Sequence, residues 1–340
     1  MLGFDGSERS SVFLMDRISA SHLPFFMIKR YCLICTRSFW LACLVLCPLG
    51  MHGAETDKSK KLPFTTVFQG ETKFQQMVKK AQAERWRDRP LGQRTVLAAR
   101  ALLGTRYVNF TLEVDDHIEN PVVNLHAMDC WTFYENALGF ARMLREKPGP
   151  YRPDDLLRMV ELERYRQGKC DGSYLSRMHH LEEVFADNQR RGLAEHVTRE
   201  LPGAVRLRKE VTEMTEQWQS YRYLKANPSL LKPMAQIEKR ISSLPVHHVP
   251  KHRVREVEAL LQDGDICAIT TTHPFQYTCH VGLIMRLRGR AYFMHATSSR
   301  DKGRCTVLDK PITDYLQENP SHAGIVICRP KDLPIKAPKK

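Results

Sequence analysis

One cysteine and two histidines, far apart along the chain, could do chemistry together. Asp129-Cys130 stands directly ahead of Phe133, Ala137, Phe140, Ala141 and Leu144, apolar residues at helical spacing. Asp is a favoured N-cap residue, so the spacing predicts a buried helix with Cys130 in its first turn, ended by Pro148-Gly149. The unpaired N–H groups and the macrodipole at a helix start favour negative charge. They should lower the thiol pKa and could also hold a tetrahedral oxyanion. Taken alone, a cysteine behind an Asp cap is an ordinary packing residue. His280 changes that reading. It opens the apolar run Val281-Gly282-Leu283-Ile284, and the glycine lets another group approach the backbone closely. A second apolar run closes in His295-Ala296, with Arg288-Gly289 supplying turn chemistry between the two. A hairpin at that turn sets His280 and His295 side by side. A thiol, an imidazole to take its proton and a polar group to orient that imidazole make an activated nucleophile for acyl transfer.

Other constellations read more plainly. His179-His180 and His247-His248 are not accompanied by HxxEH or HExxH spacing, so neither zinc nor any other cofactor is expected. Asn109-Phe110-Thr111 matches a glycosylation acceptor, a pattern common by chance. Arg177 is either a solvated helix charge or a buried fork suited to carboxylates.

The elements that must position these residues follow from periodicity. Residues 73–103 are helical, with Phe74, Met77, Ala81 and Trp86, then Val96, Ala99 and Leu102, on apolar faces. Arg89-Pro90 divides that stretch in two, and Gly104 suits a C-cap. Residues 107–128 read as loop and short extended pieces, and 153–250 as mostly helical and charged. Strands are expected at 266–270, 280–287, 291–295, 305–308 and 324–328. Helices first and an antiparallel meander after make an α+β arrangement.

Composition sets the frame. The 340 residues are 42% hydrophobic and 26% charged, with a net charge of +14, so anionic partners are favoured. No arginine stripe interleaved with aromatics and no recognition helix points to nucleic acid. Lys29, Arg30 and Arg37 precede an apolar run at 39–49, followed by Gly53-Ala54 and a charged segment, the order of a secretory signal. The run is short for a bilayer span. Met27 is the expected true start, and export to the periplasm or cell envelope is expected, with an uncleaved anchor as the alternative. The division is then a leader at 1–54, a loose segment at 55–72, one domain at 73–330 with a helical insertion at about 150–250, and a basic tail at 331–340. Of ten cysteines, four fall in the leader; the other six show no CxxC spacing, the five besides Cys130 cannot all pair, and strand positions such as Cys267 and Cys328 read as small buried hydrophobes.

Together these motifs resemble a known family. Tyr107, Asp129-Cys130 opening a helix, His280-Val281-Gly282 and His295-Ala296 are similar to the NlpC/P60 superfamily of papain-like cysteine hydrolases. The closer resemblance is to its N-acetylmuramoyl-L-alanine amidase-like subgroup. It extends through Leu103-Gly104-Thr105-Arg106-Tyr107, Thr111-Leu112-Glu113, Val123-Asn124-Leu125, Arg177, His179, Asn188 and Gly264-Asp265-Ile266, over roughly residues 75–330. The resemblance implies a papain-like core: N-terminal helices, a sheet of about five antiparallel strands, and a helical insertion between the cysteine helix and the histidine strand. It implies Cys130, His280 and His295 as catalytic residues, with Tyr107, Asp129, Glu113, Arg177 and His179 around the oxyanion and substrate. The implied activity is cleavage of the muramic acid lactyl–L-alanine amide of muropeptides, with no obligate protein partner. An endopeptidase of the peptide stem or a non-catalytic wall-binding protein remain as alternatives. The chain departs from the subgroup at Trp131, His180 and Tyr277, where a small polar residue, a Tyr and an Asp are usual.

Overall fold

The computed structural model describes residues 61–333. The expected leader, the segment up to residue 60 and the tail beyond 333 lie outside the described residues. A single helical turn at Phe64–Val67 and a short strand at Phe68–Gln69, paired with Val123–Asn124, precede two longer helices. In α1 (Glu71–Ala83), Phe74, Met77, Val78 and Ala81 form one buried stripe. After a short turn at Trp86–Asp88, α2 (Leu91–Ala101) begins directly behind Pro90. The break at Arg89-Pro90 is thus real, because proline is accepted only at a helix start. Helix α3 (Cys130–Glu146) is buried on all sides from Thr132 to Leu144 and runs through the centre of the larger core cluster. Helices α4 (Pro153–Arg164), α5 (Leu181–Arg190) and α6 (Leu231–Ser242) follow.

The sheet is built from β1 (His247–Pro250), β2 (Ile266–Thr271), β3 (Thr278–Leu287), β4 (Arg290–Ala296), β5 (Thr306–Pro311) and β6 (His322–Pro330). Their order is β5-β4-β3-β2-β6-β1, all antiparallel, with α7 (Ile312–Gln317) leading from β5 towards β6. Both faces are covered. Ile266, Ala268, Val281, Leu283 and Met294 face the helices, whereas Cys267, Ile269, Ile284 and Phe293 pack with Ile312 and Leu316 of α7. Cys267 and Cys328 are buried, unpaired thiols in these layers. The β3–β4 hairpin turns at Arg288 and Gly289, whose φ angles of 50° and 79° fit the tight turn between twisted strands.

The sheet has eight strands rather than about five. The additions are β1, Val205–Arg206 beside it, and Ala194–Glu195 on β6. All three come from the stretch read as helical insertion. Two-residue pieces such as Val205–Arg206, with both side chains exposed, carry no alternation for a sequence to display. The insertion itself is only partly helical, since residues 191–230 are mostly turns and short helical pieces.

Candidate active site

The start of α3 is tightly specified. Asp129 Oδ1 accepts the Thr132 backbone N–H at 2.8 Å, and the Thr132 hydroxyl reaches back to the Asp129 N–H at 3.0 Å, a reciprocal capping box. Asp129 Oδ2 accepts from the backbone N–H and hydroxyl of Thr111, at 3.2 and 2.8 Å. Its carboxylate is therefore engaged in holding the helix start to the 108–113 loop and is not presented to a substrate. Tyr107 is drawn to the same place, because Arg106–Tyr107 pairs in parallel with Ala127–Met128, the residues leading into Asp129-Cys130.

Cys130 is half-buried and meets β3: the backbone N–H of Val281, the residue after His280, donates to its sulfur, as does that of Trp131. His280 and His295 stand side by side as the hairpin requires, with His280 Nε2 at 2.8 Å from His295 Nδ1. Gly282, two residues beyond His280 on β3, leaves room for the neighbouring strand. A Cβ there would come within 2.4 Å of the Met294 carbonyl oxygen. Three residues not singled out from the sequence complete the cluster. His295 Nε2 lies 3.1 Å from Asp309 Oδ2, Lys302 Nζ donates to the same oxygen, and the Tyr315 ring packs 5.0 Å from His295. Asp309 sits on β5 just beyond Leu308, where the pairing with β4 shifts register, and its carboxylate meets the His295 ring there.

The electrostatics differ from the expectation for a helix start. Burial, with the Asp129 carboxylate adding to it, pushes the Cys130 thiol up to about 12, against the two N–H donors. Desolvation outweighs the dipole here because the sulfur is enclosed between α3 and β3. Burial also pulls His280 well below 6.5, with the charges of His295, His322 and Lys302 acting the same way and Asp309 opposing. Both members of the pair rest neutral. Were Cys130 and His280 to act as nucleophile and base, the competent form would persist wherever the imidazole is unprotonated and the thiol protonated. We expect kcat/KM to stay level from about pH 7 to about pH 10, with its acid limb below the ordinary histidine range. A pH profile with an alkaline limb near 8.5 would indicate a preformed thiolate instead. Tyr107 is held protonated, its pKa raised by burial and then by the nearby Cys130 and Asp129.

The residues expected to meet substrate from the insertion are placed otherwise. Arg177 is buried, with Nη2 3.2 Å from Glu113 Oε1 and Nε 3.0 Å from Glu119 Oε1. Tyr174 and Tyr165 donate to these same carboxylates, each at 2.6 Å. His179 packs its ring 4.4 Å from that of Tyr174, with Nε2 3.0 Å from the Tyr174 carbonyl oxygen. Glu113, Arg177 and His179 thus form an internal brace, invisible in the sequence because the two carboxylates lie far from Arg177 along the chain. Among the described residues, no group of three His, Cys, Asp or Glu side chains is arranged to hold a metal ion.

Comparison with known proteins agrees with this architecture. A crystal structure of an N-acetylmuramoyl-L-alanine amidase from Bacteroides uniformis superposes with a TM-score of 0.63 at 28% identity, over 71% of this chain and 99% of that one. A Bacteroides fragilis protein described as a candidate xylanase matches at 32% identity and a TM-score of 0.60, over 68% of this chain and 98% of that one. A Legionella pneumophila protein shares the fold at 16% identity, with a TM-score of 0.56, over 78% and 97% of the two chains. No curated protein matches. Residues 97–326, spanning the cysteine helix, the insertion and the histidine hairpin, match the AmiA-like family, and the chain belongs to this family of N-acetylmuramoyl-L-alanine amidase-like proteins.

Proposed function

We propose that the chain is a cysteine amidase of the cell wall, with a papain-like NlpC/P60 arrangement, that cleaves the amide between the muramic acid lactyl group and L-alanine in muropeptides. The observation that supports it most is the docking of the Cys130 thiol on the strand of His280, whose ring is held by His295. His280 takes the thiol proton through Nδ1, the nitrogen not bonded to His295. The sulfur attacks the lactyl carbonyl carbon. The oxyanion is held by N–H groups at the start of α3 and by the Tyr107 hydroxyl. His280 then gives its proton to the departing L-alanine nitrogen, leaving a muramoyl thioester on Cys130. Water, deprotonated by His280, attacks the thioester and releases the acid. Export on the leader read at residues 1–54, with Met27 as its expected start, would bring the enzyme to the cell envelope.

Acyl transfer fits this site better than glycoside hydrolysis, which needs two carboxylates free to flank a sugar. Asp129 is tied into the helix cap, and Asp309 is bonded to His295 and Lys302. The test is digestion of a defined muropeptide followed by mass spectrometry. Release of a peptide with a free L-alanine amino group supports the proposal. A cut inside the stem would make the protein an endopeptidase, and no cut by the intact chain would leave a wall-binding role. Tyr107→Phe should lower kcat by about 10- to 100-fold with KM nearly unchanged, since an oxyanion donor acts in the transition state. An equal rise in KM with kcat intact would move Tyr107 into ground-state binding.

A further inference from the structure

We propose that Asp309 is a positioning residue that sets the tautomer of His280 through His295, so that His280 Nδ1, the nitrogen not bonded to His295, is always the bare one. The argument is a count of protons along one line of atoms. A carboxylate can only accept, so His295 must carry its ring proton on Nε2, 3.1 Å from Asp309 Oδ2. A neutral imidazole holds one ring proton, which leaves His295 Nδ1 as an acceptor. His280 Nε2, 2.8 Å away, must therefore be the donor. Its own single proton is then accounted for, and Nδ1 is left with a lone pair ready to receive the proton of Cys130. With the opposite order, Nδ1 would carry the proton and could not serve as a base.

The rest of the cluster supports this order. Lys302 Nζ donates to the same oxygen of Asp309, and the Lys310 backbone N–H donates to the other at 2.8 Å. Burial alone would raise the Asp309 pKa, but the hydrogen bonds from His295, Lys302 and Lys310 hold its carboxyl well below the usual range. It thus remains an acceptor at every working pH. The Phe293 ring stacks on His295 at 4.7 Å, and Tyr315 packs against both histidines, so neither ring can turn over easily. The other titratable groups around His280 are Tyr315 from α7, His322 from β6 and Lys302. None bonds His280 Nε2, so Asp309 is the end that decides the direction of the line.

This inference rests on His280 acting as the base of Cys130, and the test separates it from the substrate assignment. Nitrogen-15 spectra of the histidine rings, recorded on the full chain without substrate and assigned by loss of one signal in His280→Gln, report the tautomers directly. The wild type should show His280 and His295 both protonated on Nε2. In Asp309→Asn the amide N–H can donate to His295 Nε2, and both rings should change to the Nδ1-protonated form. With muropeptide, kcat should fall by about 10²- to 10⁴-fold with KM changed by less than about threefold. If Asp309→Asn does not fold, Asp309→Ala is read in its place. It removes the terminal acceptor, so the Nε2-protonated fraction of His280 should drop. Unchanged tautomers in the folded variant, or an unchanged kcat, would overturn the proposal. A tautomer change in a protein that cuts no muropeptide would leave it standing and remove the amidase reading instead.

Discussion

Cys130→Ala should keep the fold and lose muropeptide hydrolysis, with kcat/KM falling by about 10⁴-fold or more. The sulfur is the only group at the start of α3 that can form the thioester, and removing a nucleophile leaves just the binding and oxyanion contributions. Stability should change by less than about 1 kcal/mol, because a half-buried thiol is exchanged for a methyl group without exposing a polar partner. The two readouts are product release by mass spectrometry and the thermal midpoint by circular dichroism. Full turnover in a folded variant would remove Cys130 from the mechanism. A variant that binds muropeptide but does not cut it would also be suited to capturing the bound substrate.

Arg177→Ala should show the opposite pattern, a loss of stability with activity changed mainly through the folded fraction. Its guanidinium bridges Glu113 and Glu119, and all three side chains are buried. Removing the cation leaves two buried carboxylates with the Tyr174 and Tyr165 hydroxyls and the Tyr223 backbone N–H as charge-neutral partners. Breaking a buried pair in this way costs about 3–5 kcal/mol, readable as a shift in the urea midpoint. The pH dependence has a definite sign. Burial already raises the Glu119 pKa, with the Arg177 charge opposing it, and loss of Arg177 raises it further. A carboxyl raised in the folded state is more protonated there than in the unfolded chain. Its folding penalty is therefore greatest at high pH and shrinks as pH falls towards the ordinary carboxylate range. The deficit of Arg177→Ala should narrow on acidification from about pH 8 to about pH 5. An unchanged urea midpoint together with a large rise in KM would instead return Arg177 to the substrate, as its resemblance to the family implies.

What the sequence by itself determined is what neighbours along the chain can determine. The apolar stripe after Asp129 defined α3 and put Cys130 in its first turn, and the capping box formed as residue types demanded. The two apolar runs joined at Arg288-Gly289 defined a hairpin, and with it the meeting of His280 and His295. Periodicity and turn chemistry are local, so they survive being read one residue at a time. Only the tertiary structure decided three further matters. Asp309 became the end of the histidine line because β5 pairs with β4 in one particular register, which no local pattern sets. Arg177 became a brace because Glu113 and Glu119, distant in sequence, fold onto it. The thiol of Cys130 rests protonated because β3 closes over the helix start, and desolvation there exceeds the pull of the helix N-terminus. Charge state and pairing are sums over whatever surrounds a group in space, and that surrounding is assembled from segments whose mutual placement exists only once the chain has folded.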